Sequence, residues 1–135
     1  MSSENELIEK TYRAYFTVFQ MGDPRQITPY YHVPSLFLSP AGSYALNNVR
    51  EAEQFFERLI YALKARGYAR SVLTDVQVHG LTDDLALVNA RGERWKRDGE
   101  LLERISALYT MRKQEGSWRI ASATMYDPER PLRLA

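Results

Sequence analysis

Near residue 69 the spacing of apolar side chains changes its period, and that break divides the chain into a helical part and a β part. Before it, Ile8, Tyr12, Tyr15 and Phe19 recur at intervals of three and four, as do Val49, Ala52, Phe56, Leu59 and Leu63. After it, apolar and polar residues alternate through four runs near 70–80, 84–97, 100–113 and 117–126. Helices followed by consecutive strands cannot build a parallel, doubly wound sheet. They build an antiparallel sheet with helices on one face, so the class is α+β.

The boundaries of the elements are marked by capping chemistry. Ser3 and Glu6 form a capping-box pattern at the start of a helix over 5–21, and Gly22 supplies its left-handed stop. Asp23 then caps a short helix with Pro24 at its first position, running to Tyr30 or Tyr31. Pro34 and Pro40 bracket a short edge-type strand at 35–39, and Ala41-Gly42 turns the chain into a second around Tyr44. Asn48 with Glu51 opens a third helix over 48–66, which Arg66-Gly67 closes.

Asp98-Gly99, between two alternating runs, signals a tight hairpin. That turn sets Ala90 opposite Ala107, Val88 opposite Tyr109 and Arg94 opposite Glu103. A turn at Gln114-Glu115-Gly116 is expected to bring Ser122 beside Ala107 and Ile120 beside Tyr109. The inner face then carries Val88, Ala90, Ala107, Tyr109, Ile120 and Ser122, and the helices must cover it.

Composition excludes several classes. At 135 residues the chain is read as one domain, 1–135, able to bury a core without staples. It has no cysteine, hence no disulfide and no thiolate metal site. Eighteen Lys and Arg against 17 Asp and Glu give no electrostatic reason to bind nucleic acid. No apolar run approaches the roughly 20 residues that cross a bilayer. The polar, acidic start of the chain is unlike a secretory signal, so no membrane association and a cytoplasmic location are expected.

Few side chains suggest chemistry. Histidine is a residue type suited to general-base work, but His32 has no carboxylate at an orienting spacing, and His79 lies near a strand end. The two histidines form no metal-ligand pattern, and no glycine-rich phosphate loop is present, so neither metal nor cofactor is expected. Arg94 has inward parity near the sheet rim, where it could meet an anionic ligand or pair with Glu103.

The order of helix, Gly22-Asp23, short helix, two short strands, capped helix and four long strands ending in Gly-Ser-Trp-Arg-Ile (116–120) resembles the nuclear-transport-factor-2-like superfamily. That group includes ketosteroid isomerase, scytalone dehydratase and SnoaL-like cyclases, and the resemblance spans about Glu6 to Asp127. It implies three N-terminal helices packed on a strongly bent antiparallel sheet, a cone whose open end is a pocket. It also implies a homodimer through the outer sheet face, in keeping with Leu85, Leu87 and Leu108 on the outward parity.

Tyr15 matches the isomerase tyrosine, but Ser39 stands where the base would be and Ala107 where the protonated Asp would be. A lone serine cannot abstract a carbon-bound proton, and alanine cannot stabilise an enolate, so steroid isomerisation is not expected. Tyr15 should point toward a floor of Ala90, Ala107 and Ser122, rimmed by Tyr30, Phe56, Arg94, Tyr109 and Tyr126. Three functions remain open: a binding protein for a small hydrophobic ligand, a cofactor-free lyase, isomerase or cyclase using Tyr15 with His32, or a dimeric interaction module.

Overall fold

Helix α1 (Ser3–Met21) forms because its apolar stripe has a sheet to lie on: Ile8, Tyr12, Tyr15 and Phe19 are all buried. The computed structural model describes residues 3–134 and side chains from Glu4 onward, so the Ser3 cap lies outside the described side chains. Gly22, at φ +73°, ends α1 with its N–H on the Phe19 carbonyl. Asp23 caps α2 (Pro24–Ile27) by accepting from the Arg25 N–H at 3.0 Å, and a 3₁₀ turn over Thr28–Tyr30 continues it.

Strands β1 (Tyr31–Ser39) and β2 (Gly42–Leu46) lead into α3 (Val49–Ala65), whose Glu51 N–H bonds to the Asn48 side chain at 2.9 Å. The buried arc of α3 is Ala52, Phe55, Phe56, Ile60 and Leu63. Relative to the expected stripe it is turned by one position. Val49, in the first turn, is exposed, and Leu59 is only partly buried.

Strands β3 (Tyr68–Gly80), β4 (Leu85–Lys96), β5 (Leu101–Gln114) and β6 (Ser117–Tyr126) form the expected antiparallel meander. The full sheet runs β2-β1-β6-β5-β4-β3. One expectation is corrected here, because β1 is a nine-residue interior strand and not a short edge. It pairs antiparallel with β2 and parallel with β6. Pro34, after a cis peptide bond, falls where β1 is unpaired on both sides, between Tyr31 and Leu36 toward β6 and before Ser35 toward β2. Its missing N–H therefore interrupts no ladder.

The β4–β5 register is as the Asp98-Gly99 signal requires: Ala90 faces Ala107, Val88 faces Tyr109 and Arg94 faces Glu103. The turn is one residue longer than expected, with the Gly99 N–H on the Lys96 carbonyl and φ +92° at Gly99, and a bulge beside Trp95 restores the count. The β5–β6 expectation is corrected. Glu115 and Gly116 both have positive φ and make a two-residue turn, and a bulge follows Ile120. Ser122 thus lies opposite Thr110, Ala123 opposite Tyr109 and Met125 opposite Ala107.

Such bulges add twist and bend, and they occur in β1, β3, β4 and β6 pairings alike. At Gly92 the backbones approach closely, since a Cβ there would sit 2.8 Å from the Val72 carbonyl oxygen and 3.3 Å from the Phe16 ring. On the outer face the C-terminal segment folds back over the sheet. Leu132 accepts from the Asn89 side chain at 2.7 Å, and the Leu134 N–H donates to Gln77. Asn89, of outward parity, is buried against it, and Ser106 is buried beside Tyr126 on the neighbouring strand. Among the described residues no helix is long and apolar enough to cross a membrane.

Candidate functional site

The open end of the cone lies where α1, α3 and the start of β5 meet. An inner cavity of about 30 Å³ is walled by aromatic and aliphatic groups, Phe16, Phe19, Phe37 and Leu59 among them, with Tyr15, Tyr109, Ser71 and Arg94 as its polar border. It has room for one or two waters. Beside it an outer cleft of about 250 Å³ shares Phe37, Leu59, Arg94, Ile105 and Met125, and opens past Ser39, Glu103 and Tyr126. Helix α1 supplies the roof because Phe16 and Phe19 are one turn from Tyr12 and Tyr15 on the same stripe. A third hollow, about 770 Å³, lies where α1 meets the β3–β4 turn and is bordered mainly by polar groups such as Glu4, Asp83 and Asp84.

Arg94 borders both parts of the site, and its side chain is only 11% exposed. Its Nη1 donates to Glu103 Oε2 at 2.7 Å, and its guanidinium carbon lies 5.8 Å from the centre of the Phe19 ring. Its Nε is buried with no hydrogen-bond partner. Glu103 also accepts from Arg66 Nη2 at 2.9 Å, at the C-terminal end of α3. Burial pushes the Glu103 carboxyl up, but hydrogen bonds from Arg66 and Arg94 and their charges outweigh it and hold the group below its ordinary value. Glu103 is therefore ionised at neutral pH and is a poor proton acceptor.

Behind Arg94 sits a cluster of four tyrosines. The Tyr15 and Tyr31 oxygens are 2.7 Å apart, and the Tyr12 and Tyr15 rings both pack against Tyr109. Their rings pack at centroid distances of 4.9 Å for Tyr12–Tyr109 and 5.6 Å for Tyr15–Tyr31. Burial pushes the hydroxyls of Tyr12, Tyr15 and Tyr31 well up and that of Tyr109 up as well, so all four stay protonated near neutrality. Tyr109 also borders the inner cavity, so one member of the cluster reaches the site.

The expected site residues separate into groups. Tyr15, Arg94 and Tyr109 border the inner cavity, and Tyr126 borders the outer cleft while its hydroxyl donates to Asn89 at 2.6 Å. Ala90, Ala107 and Phe56 are buried in the core and line neither part. Tyr30 borders a separate hollow with Leu7 and Thr11, and Ser122 faces Thr110 across the ladder, so the small-residue floor is not assembled as expected. Ser39 sits at the cleft mouth with its hydroxyl accepting from the Ala41 N–H.

His32 is held at the other end of the sheet, between the Pro34 carbonyl at 3.0 Å and Gln114 Oε1 at 2.8 Å. Gln114 and Glu103 are at opposite ends of β5, roughly 35 Å apart along the strand. His32 therefore does not converge with Arg94 and Glu103. Sequence reasoning missed Tyr31, the partner of Tyr15, because the strand was expected to begin after Pro34. Met125 was missed because the bulge in β6 that turns it inward carries no local signal.

The fold recurs in solved structures at low identity, which bears on the fold alone. An NTF2-like protein of unknown function from Pseudomonas putida KT2440 superposes with a TM-score of 0.76 at 16% identity, over 95% of this chain and 89% of that one. A ketosteroid isomerase-like protein from Erwinia carotovora atroseptica gives 0.72 at 19%, over 93% and 96%. A domain of unknown function with a cystatin-like fold from Nostoc punctiforme gives 0.75 at 18%, over 99% and 82%. No curated protein matches the chain in sequence. The family described as NTF2-like protein (DUF6841) matches residues 3–128, nearly the whole chain, and it is to this family that the protein belongs.

Proposed function

We propose that the protein binds a small, largely apolar ligand in the two-part cavity and holds it without transforming it. The observation that carries this reading is the continuity of the two spaces. Five residues, Phe37, Leu59, Arg94, Ile105 and Met125, border both, so a ligand body in the cleft has a path to the polar groups inside. Apolar walls with a few convergent polar atoms are what a binding site needs.

Catalysis would need a base near those polar atoms. Among the described residues no Asp or Glu borders the inner cavity, and the nearest carboxylate, Glu103, is already shared between two arginines. His32 borders neither part of the cavity and its ring is held by Pro34 and Gln114, which weakens the lyase, isomerase or cyclase reading.

Titration of ¹⁵N-labelled protein with an uncharged aromatic, benzyl alcohol, tests the proposal. Saturable shifts are expected at Leu59, Arg94, Ile105 and Tyr109, and Ile105→Trp, which fills the shared wall, should abolish them. Shifts confined to the outer sheet face would instead favour an interaction module. The homodimer remains a proposal of its own, resting on Val72, Leu87 and Leu108, which the inner site does not use.

A further inference from the structure

We infer that the ligand is a monocarboxylate with a small apolar or aromatic body, its carboxylate received by the Nε–Nη2 edge of Arg94 and by the hydroxyl of Tyr109. The inference rests on the cavity reading above and gives that cavity a substrate class.

It begins with an imbalance of charge. Two guanidiniums, Arg66 and Arg94, share the single carboxylate of Glu103. Arg66 is half exposed and water can complete its solvation, whereas Arg94 has little access to solvent. A cation so far withdrawn from water needs its donors satisfied by something in the site.

The geometry of the guanidinium then says where that partner belongs. It is planar and offers donors along distinct edges. Glu103 takes Nη1, at the end of the group, and the Nε–H on the other edge is buried and unpaired. A carboxylate meets the Nε–Nη2 edge with two parallel hydrogen bonds, which a single water or an alcohol cannot reproduce.

Space and neighbours narrow the choice further. The inner cavity, about 30 Å³, takes the two oxygens of a carboxylate in place of one or two waters. Tyr109 borders the same cavity and carries a protonated phenol. A doubly charged head would meet Glu103 at close quarters, while the net charge of two arginines and one glutamate matches a single negative charge. The body of the molecule would lie in the cleft of about 250 Å³ against Phe37, Leu59, Ile105 and Met125, a volume suited to a ring or a short chain.

The test uses matched pairs that differ only in charge: formate against formamide, and benzoate against benzamide. The ¹⁵Nε–¹Hε resonance of Arg94 is followed, with chloride at equal ionic strength as the control for screening. Both carboxylates should move that resonance saturably, and neither amide should. Benzoate should bind at least about tenfold more tightly than benzamide. Arg94→Met and Arg94→Lys should both erase the preference, the latter because it keeps the charge and loses the fork. Glu103→Gln, which removes the competing carboxylate, should tighten benzoate binding.

Equal affinities for acid and amide, or benzoate binding undiminished in both Arg94 variants, would overturn the inference. So would an Arg94 resonance unmoved by either carboxylate at about 100 mM. If benzyl alcohol still bound in the cavity under those outcomes, the cavity reading would stand and the carboxylate would fall alone.

Discussion

The phenol oxygens of Tyr15 and Tyr31 lie 2.7 Å apart in the buried space between α1 and β1. The hydroxyl that resembles a catalytic acid is therefore engaged with another tyrosine, and its proximity to the cavity is that of a wall. Its first role is to order the interior.

Tyr15→Phe should accordingly act on stability more than on binding. It leaves a buried Tyr31 hydroxyl without its partner, a loss of about 1–3 kcal/mol. Urea unfolding measures it. A change below a few tenths would mean that water replaces the missing oxygen and that the cluster is wetter than its burial implies.

Gly92→Ala should destabilise the domain by about 1–3 kcal/mol, because the new methyl would sit 2.8 Å from the Val72 carbonyl and against Phe16. The closer neighbour is backbone in β3, and the other is the ring tip of Phe16, held against the core by α1. Thermal unfolding of the variant beside wild type decides it, and an unchanged midpoint would show that the β3 bulge yields easily.

Acid sensitivity should be traceable to Glu103. Its folded-state carboxyl lies below the ordinary value of 4.5, so it stabilises the fold above that value and the contribution disappears as pH falls through the lowered one. Glu103→Gln should cost stability at about pH 6, and the cost should shrink as the pH falls below the ordinary carboxylate range. Parallel stability–pH curves for the two proteins would contradict the assignment.

The protein should not isomerise a 3-keto-Δ5 steroid above background, and Ser39→Asp alone should not confer the activity. Ser39 sits at the cleft mouth, and Ala107 is buried away from both parts of the cavity. A carboxylate at the mouth would have no partner to stabilise the enolate it made. Steady absorbance of the conjugated product, appearing with the unmodified protein, would reverse this conclusion.

Light scattering should report a homodimer, with Leu87 and Leu108 protected from hydrogen exchange along the outer face. The returning C-terminal segment bonds to Asn89 in that face, which leaves the flanking positions for a second copy. A monomer at micromolar concentration would restrict the outer face to binding its own tail.

Much of the fold was legible because its signals are local. Gly22, Asp23-Pro24 and Asn48 mark ends through backbone hydrogen bonds made within a few residues, and Asp98-Gly99 fixed three cross-strand pairs correctly. What failed depends on the rest of the molecule. Glu115 adopts φ +53° although its type disfavours it, and the bulge after Ile120 then moves Ser122 off the inner face. The parallel pairing of β1 with β6 joins distant segments that share no periodic signal. In the site, Arg94 and Glu103 could be paired on paper, but the unpaired Nε and the arrival of Arg66 from α3 could not.

That parallel seam has a consequence for how the molecule is made. Strand β1 is made well before one of its two neighbours, β6, with four strands and α3 between them in the chain. Until then α1 and α3 have only part of the sheet to lie against, and the aromatic groups of the cavity wall stay uncovered. Folding must wait on this long loop closure, which makes it slow for a chain of this length. The nascent protein is thus at its stickiest before β6 arrives, and a chain interrupted within β6 would never pass that stage.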